Sequence, residues 1–236
     1  MGADAGLWRH VLPALRAERP VLAYDLRGHG AAAGPGSGPY RIADHAGDLL
    51  ARLDETAPDG GPVHVLGTSL GGVIAQVAAA EAPQQFASLV LCATWGAAPP
   101  GLDAEGLAAA IAAAPDMRVH FAGLVRAMLP SHPDDAALLL DALAAADRDA
   151  LVQGARELFA WDGTALLPGI RVPALCVAGD RDDVFTPAAA QALAAALPDA
   201  RSGVLTGCGH APYVERPAMF AHVVAEFWRE HDPAAA

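Results

Sequence analysis

Residues 63–72 read V-H-V-L-G-T-S-L-G-G, and no other stretch limits the fold as much. Three apolar residues run into Gly67, Ser69 and Gly71. A helical pattern, Leu70 to Glu81, begins at once. A strand that turns this sharply into a helix needs small residues two before and two after the serine, so that neighbouring backbone can pass closely. The turn lifts the serine hydroxyl above the carboxyl end of a sheet. The new helix aims its free N–H groups and positive dipole end at the same place. The plainer reading is a tight turn carrying a surface serine.

The rest of the chain decides between them. Leu7 to Arg19 has helical spacing and stops at Pro20. V-L-A-Y at 21–24 reads as a buried strand, D-L-R-G-H-G at 25–30 as the turn leaving it, and 31–39 as a glycine–proline loop. Ile42–Thr56 reads as a helix. Further strands are expected at 63–66, 88–92, 171–178 and 201–205, and further helices at 187–197 and 217–231. Apolar strands alternating with helices predict an α/β fold with a mostly parallel sheet covered on both faces. Residues 99–162 break the alternation with alanine-rich helical patterns and no good strand. They are expected to form a helical insert in a core made of 1–98 and 163–236.

Two later loops leave strands at the end of the sheet where Ser69 is expected. V-A-G-D-R-D-D-V-F-T-P at 177–187 presents acids, and G-C-G-H-A-P at 207–212 presents His210 between small residues. A serine hydroxyl is a poor nucleophile until a base takes its proton, and the base needs an acid to fix its tautomer. Ser69 is the candidate nucleophile and His210 the candidate base. Asp180, Asp182 and Asp183 all stand where the acid is needed.

The pieces L-A-Y-D-L-R-G-H-G (22–30), G-T-S-L-G-G (67–72), L-V-L-C-A-T (89–94), G-D-R-D-x-V-F-T-P (179–187) and G-C-G-H-A-P-Y-x-E-R-P (207–217) together resemble the α/β-hydrolase superfamily. Within it they resemble the branch of 3-oxoadipate enol-lactonases, related esterases and non-metal haloperoxidases. The resemblance covers nearly all of the chain outside the insert. It selects Asp182 as the acid, makes the insert a cap over the site, and implies a serine hydrolase for a carboxylic ester or small lactone. It also implies that His29, with Asp25 and Arg27, is part of a structural turn.

An oxyanion formed on the substrate needs two donors. The Leu70 N–H is one. In relatives the other comes from a loop after the third strand, followed by a helix that A-D-A-G-L-W resembles, and the resemblance puts Met1 and Gly2 on the end of that loop. The first strands of the family, including the one before this loop, then have no counterpart. The expectation is an N-terminally truncated chain with impaired activity, or one in which 21–24 pairs directly with 63–66. The alternative function is a truncated, non-catalytic binding protein of the same fold. Trp95, after strand 88–92, and Trp161, at the end of the insert, are candidate substrate-binding walls. Arg118, Arg126, Arg148 and Arg156 of the insert could meet an anionic lactone, or form a solvated face paired with Asp147, Asp149 and Glu157.

Composition closes off other classes. The 236 residues carry 15 Lys plus Arg, all of them arginine, against 27 Asp plus Glu, for a net charge of -12. That balance argues against nucleic acid or an anionic membrane as partner. Cys92, Cys176 and Cys208 are odd in number and widely spaced, which argues against disulfides and thiolate zinc sites. No metal spacing appears, so neither metal nor cofactor is expected. The segment M-G-A-D-A-G-L-W lacks the marks of a signal peptide. The expected setting is cytoplasmic, and the expected partners are a small ester or lactone and, at most, a second copy in a homodimer.

Overall fold

The computed structural model describes residues 1–34, 36–57, 61–129 and 131–232; position 35 of the glycine–proline loop lies outside them. Among the described residues, four parallel strands form the sheet in the order β1 (Val63–Thr68), β2 (Phe86–Cys92), β3 (Ala174–Gly179) and β4 (Ala200–Leu205). Sequence order equals spatial order because each strand returns beside its predecessor after a helical crossover. Every residue of β3 is buried, whereas β4 exposes Arg201, Ser202 and Val204. That contrast is what an inner and an outer parallel strand require. Helices cover both faces.

Helix α1 (Leu12–Arg16) is much shorter than the expected Leu7–Arg19 helix. A 3₁₀ turn, Ala5–His10, precedes it. Pro13 explains the break: it has no N–H to give and is tolerated only in a first helical turn. Helix α2 (Ile42–Thr56) buries Ile42, His45, Ala46, Leu49 and Leu53. Helix α3 (Leu70–Glu81) starts directly after the Ser69 turn and is buried on almost every side, from Leu70 to Ala79. It packs between α2 and the strands β1 and β2.

The expected strand at 21–24 does not form. Residues 20–26 carry no strand assignment, and they make no ladder with β1. A parallel strand exists only through a hydrogen-bonded neighbour. Among the described residues β1 pairs with β2 alone. Leu22 is 57% exposed, so the apolar run that reads as a core strand is half out in solvent.

Between β2 and β3 the chain builds α4 (Ala104–Ala113), α5 (Met117–Met128), α6 (Pro133–Ala145) and α7 (Arg148–Phe159). An antiparallel bridge between Ala97 and Asp162 draws the two ends of this segment together. Asp103 caps α4 by accepting from the Gly106 N–H at 2.8 Å, and Asp116 caps α5 by accepting from the Arg118 N–H at 2.7 Å. The helices pair α4 with α7 and α5 with α6. After β3 come α8 (Pro187–Ala196), β4, the short α9 (Pro212–Glu215) and α10 (Pro217–Glu230). Phe220, Val224, Phe227 and Trp228 put α10 into the core.

Candidate active site

Ser69 links β1 to α3, as the N-cap of α3, with φ 53 and ψ -121, a left-handed conformation that a side chain normally avoids. The surroundings hold it there. Its N–H donates to the Cys92 carbonyl at 3.0 Å, and its own carbonyl accepts from the Thr94 hydroxyl at 2.9 Å. Of the glycines around it, Gly67 and Gly72 are needed for space, whereas a Cβ on Gly71, the expected small residue two after the serine, would meet nothing within 4 Å. A Cβ on Gly67 would fall on the Gly71 carbonyl, and one on Gly72 would lie 2.6 Å from the Thr94 side chain. Leu70 and the residues after it begin a helix whose first N–H groups have no intrahelical acceptor.

Asp182 and His210 come from the loops after β3 and β4. His210 Nδ1 donates to Asp182 Oδ2 at 2.8 Å. The other carboxylate oxygen, Oδ1, accepts from the Val184 and Phe185 N–H groups at 3.0 and 2.9 Å. Asp182 is 5% exposed. Burial works against its charge, but His210 and the two N–H groups outweigh burial and hold the carboxyl below the usual carboxylate range. With Nδ1 committed to Asp182, the Nε2 of His210 is the free nitrogen. Among the described residues Ser69 makes no hydrogen bond to His210, a contact that is commonly loose before substrate binds.

The competing acids have other uses. Asp180 accepts from the Gly207 and Cys208 N–H groups at 2.8 and 3.2 Å and so fixes the turn before His210. Asp183 is exposed. Glu215 is a further contributor, outside the candidate residues drawn from the sequence. Its Oε1 accepts from the Gly209 N–H at 2.8 Å and the Ala211 N–H at 3.3 Å, bracing both sides of His210. The signal available in the sequence is the acid five residues after His210 in G-C-G-H-A-P-Y-x-E.

The side chains of Met1 and Leu70 both approach Gly154 of α7: a Cβ there would stand 3.3 Å from Leu70 Cδ2 and 3.6 Å from Met1 Sδ. Trp95 is not a pocket wall. It is 1% exposed, its indole N–H donates to the Leu158 carbonyl at 3.1 Å, and its ring lies against Phe185 and Phe159. Trp161 is partly exposed, and its Nε1 is buried without a partner.

His29 is 1% exposed, with Nδ1 at 3.1 Å from the Arg27 carbonyl. Burial lowers its pKa to about 4, so the ring is neutral. Arg27 pairs with Asp48 at 2.6 Å, and Asp25 accepts from the Ala5 and Ala31 N–H groups, both at 2.7 Å. His64 is satisfied by Ser88 and Asp232. Cys208, two residues before His210, is fully buried and donates to the Leu205 carbonyl; burial pushes its thiol up to about 11. Among the described residues, no three His, Cys, Asp or Glu side chains are grouped to hold a metal ion. Nor is any helix there long and apolar enough to cross a membrane.

A strained serine at a strand-to-helix turn, with a carboxylate–imidazole pair at the same end of a parallel sheet, is the architecture of the α/β hydrolases. The chain belongs to the alpha/beta hydrolase family, whose pattern it matches over residues 1–223. It is 32% identical to the polyketide synthase ThaQ of Burkholderia thailandensis, over 98% of this chain but only 11% of that protein. It is 30% identical to the pimeloyl-[acyl-carrier protein] methyl ester esterase of Neisseria meningitidis, over 96% of this chain and 89% of that one. The crystal structure of the enol-lactonase from Burkholderia xenovorans superposes with a TM-score of 0.86 at 27% identity, covering 97% of this chain and 88% of the other.

Proposed function

We propose that this protein is a serine hydrolase that cleaves a carboxylic ester or small lactone through an acyl-enzyme. Ser69 Oγ attacks the carbonyl while His210 Nε2 takes its proton. The imidazolium formed is stabilised by Asp182 and then protonates the leaving alkoxide or enolate. Water, deprotonated in turn by His210, cleaves the acyl-serine ester. The Leu70 N–H is the oxyanion donor, and the loss of one such donor costs about 3–4 kcal/mol in comparable enzymes. The 2.8 Å bond from His210 to Asp182 carries this reading, because a loop histidine with no chemical role has no need of a buried carboxylate.

The similarity to enol-lactonases, among them a 3-oxoadipate enol-lactonase at 28% identity, makes 3-oxoadipate enol-lactone a candidate substrate, and the similarity to a methyl ester esterase makes simple esters another. Three of the four insert arginines favour the uncharged ester. Arg148 donates to the carbonyls of Ile111, Ala112 and Ala114, closing the end of α4. Arg156 pairs with Glu105 at 2.7 Å, and Arg118 with Asp141. These three are engaged within the insert itself rather than left free for a dicarboxylate, and through partners other than Asp147, Asp149 and Glu157; Arg126 is exposed.

Turnover of p-nitrophenyl acetate by the wild type and by Ser69→Ala tests the mechanism. Removing the nucleophile should cut kcat by a factor of roughly 10⁴–10⁶. Equal rates would remove Ser69 from the chemistry. The ratio of kcat/KM for the enol-lactone to that for neutral phenyl acetate separates the two substrate classes, with preference for the neutral ester expected.

A further inference from the structure

Phe185 touches the candidate catalytic pair twice. Its N–H donates to Asp182 Oδ1 at 2.9 Å, and its ring centroid lies 5.0 Å from that of His210, the planes inclined by 32°. Phe185 also meets Trp95, with centroids 4.2 Å apart. Phe185 is 4% exposed.

Trp95 is itself anchored in three directions. Its indole N–H donates to the Leu158 carbonyl in α7, and its ring takes Phe159 edge-on at 5.6 Å. Its carbonyl accepts from Gln76 Nε2 at 3.1 Å, a fully buried side chain on α3, the helix that Ser69 opens. Its neighbour Thr94 donates to the Ser69 carbonyl. One row of rings thus runs from the last turn of α7 through Trp95 and Phe185 to His210. A single hydrogen bond at Nδ1 fixes one point of the imidazole and leaves the ring free to swing about it. A packed aromatic face supplies the second constraint, because ring pairs have preferred offsets and inclinations.

We propose that Phe185 is a positioning residue for His210, and that Trp95 transmits to it the seating of α7, so that the helical insert sets the orientation of the histidine. The role as catalytic base rests on the serine hydrolase reading; the orientation does not. Two kinds of measurement separate them. The first is the low-field proton resonance of the His210 Nδ1–H, which reports its bond to Asp182 whether or not the protein turns over substrate. The second is steady-state kinetics.

Phe185→Leu keeps the N–H to Asp182 and removes the ring. It should broaden or shift the low-field proton and lower kcat about tenfold, with KM nearly unchanged. Phe185→Tyr, which restores a ring, should recover both. Trp95→Phe keeps an aromatic neighbour for Phe185 but removes the donor to Leu158. It should perturb the same resonance and speed amide exchange at the end of α7. An unperturbed resonance in Phe185→Leu overturns the positioning role. An unperturbed resonance in Trp95→Phe overturns the link to the insert. If Phe185→Leu fails to fold, Trp95→Phe and Phe185→Tyr still decide, the latter by losing the resonance where retention is expected. Full activity in Ser69→Ala would sink the hydrolase mechanism and leave the resonance test standing.

Discussion

At the scale of single residues, two buried groups are shaped by their surroundings. Ser69 keeps a left-handed backbone because Gly67 and Gly72 leave room for the Gly71 carbonyl and the Thr94 side chain. His29 stays neutral because burial disfavours its charge. The second has a pH consequence. Its pKa is about 4 in the folded chain, against an ordinary 6.5. Above pH 6.5 the ring is neutral in both states and does not affect stability. Between 6.5 and 4 the unfolded chain binds the proton and the folded chain does not, so stability falls as pH falls. By pH 4 the loss from this group should approach about 3 kcal/mol. Urea unfolding of the wild type and of His29→Gln at pH 7 and pH 4.5 checks this. The wild type should lose clearly more stability than the variant, and equal losses would place the pH sensitivity elsewhere.

At the scale of elements, the insert is tied to the core by carboxylates on three of its own residues. Asp135 of α6 accepts from His10 at 2.8 Å and pairs with Arg9 at 2.6 Å. Glu157 of α7 accepts from the Ile42 N–H at 2.6 Å, at the start of α2. Asp147, just before α7, accepts from the Ser37 hydroxyl at 2.6 Å, the Tyr40 hydroxyl at 2.7 Å and the Gly34 N–H at 3.2 Å, while its own N–H donates to the Gly28 carbonyl. Ser37, then Tyr40, hold the Asp147 carboxyl below its ordinary range. Its stabilising effect is therefore full above that range and fades as pH drops through the folded value. Asp147→Ala removes three acceptor contacts from one charged group, each worth about 1.5–3 kcal/mol at most. Partial exposure lowers the sum, and about 1–2 kcal/mol of lost stability is expected. Amide exchange should quicken in residues 36–40 and at the start of α7 while β2 and β3 stay protected. Uniform quickening would mean that the clamp belongs to the global fold.

At the scale of the molecule, stability should be uneven. The sheet interior is built from Leu89, Val90, Leu91 and the wholly buried β3. The insert helices carry many alanines and expose Val119, Leu124 and Leu138. Less apolar area is buried per residue there, at about 25 cal/mol per Å². The insert amides should exchange before those of β1 and β2 in the free protein, and slow once a phosphonate is bound at Ser69, as expected of a cap that closes over its ligand. Insert protection equal to that of the sheet in the free protein would rule out gating.

What could be read without a structure was local. Helix α3 runs from Leu70 to Glu81 as its periodicity predicts, α2 likewise spans Ile42–Thr56, and β1 to β4 fall on the expected apolar runs within a few residues. The serine turn and the loops of Asp182 and His210 were legible because turn geometry fixes residue types at short range. The fate of 21–24 was not, because an apolar run becomes a strand only when another strand offers it hydrogen bonds. Nor were the Trp95–Phe185–His210 row, the bracing of His210 by Glu215, and the engagement of Arg148 by the end of α4. The sequence alone determined which side chains could do chemistry and roughly where each helix and strand lies. Tertiary structure decided which aromatic is core and which carboxylate holds the insert, since burial and pairing depend on neighbours distant along the chain.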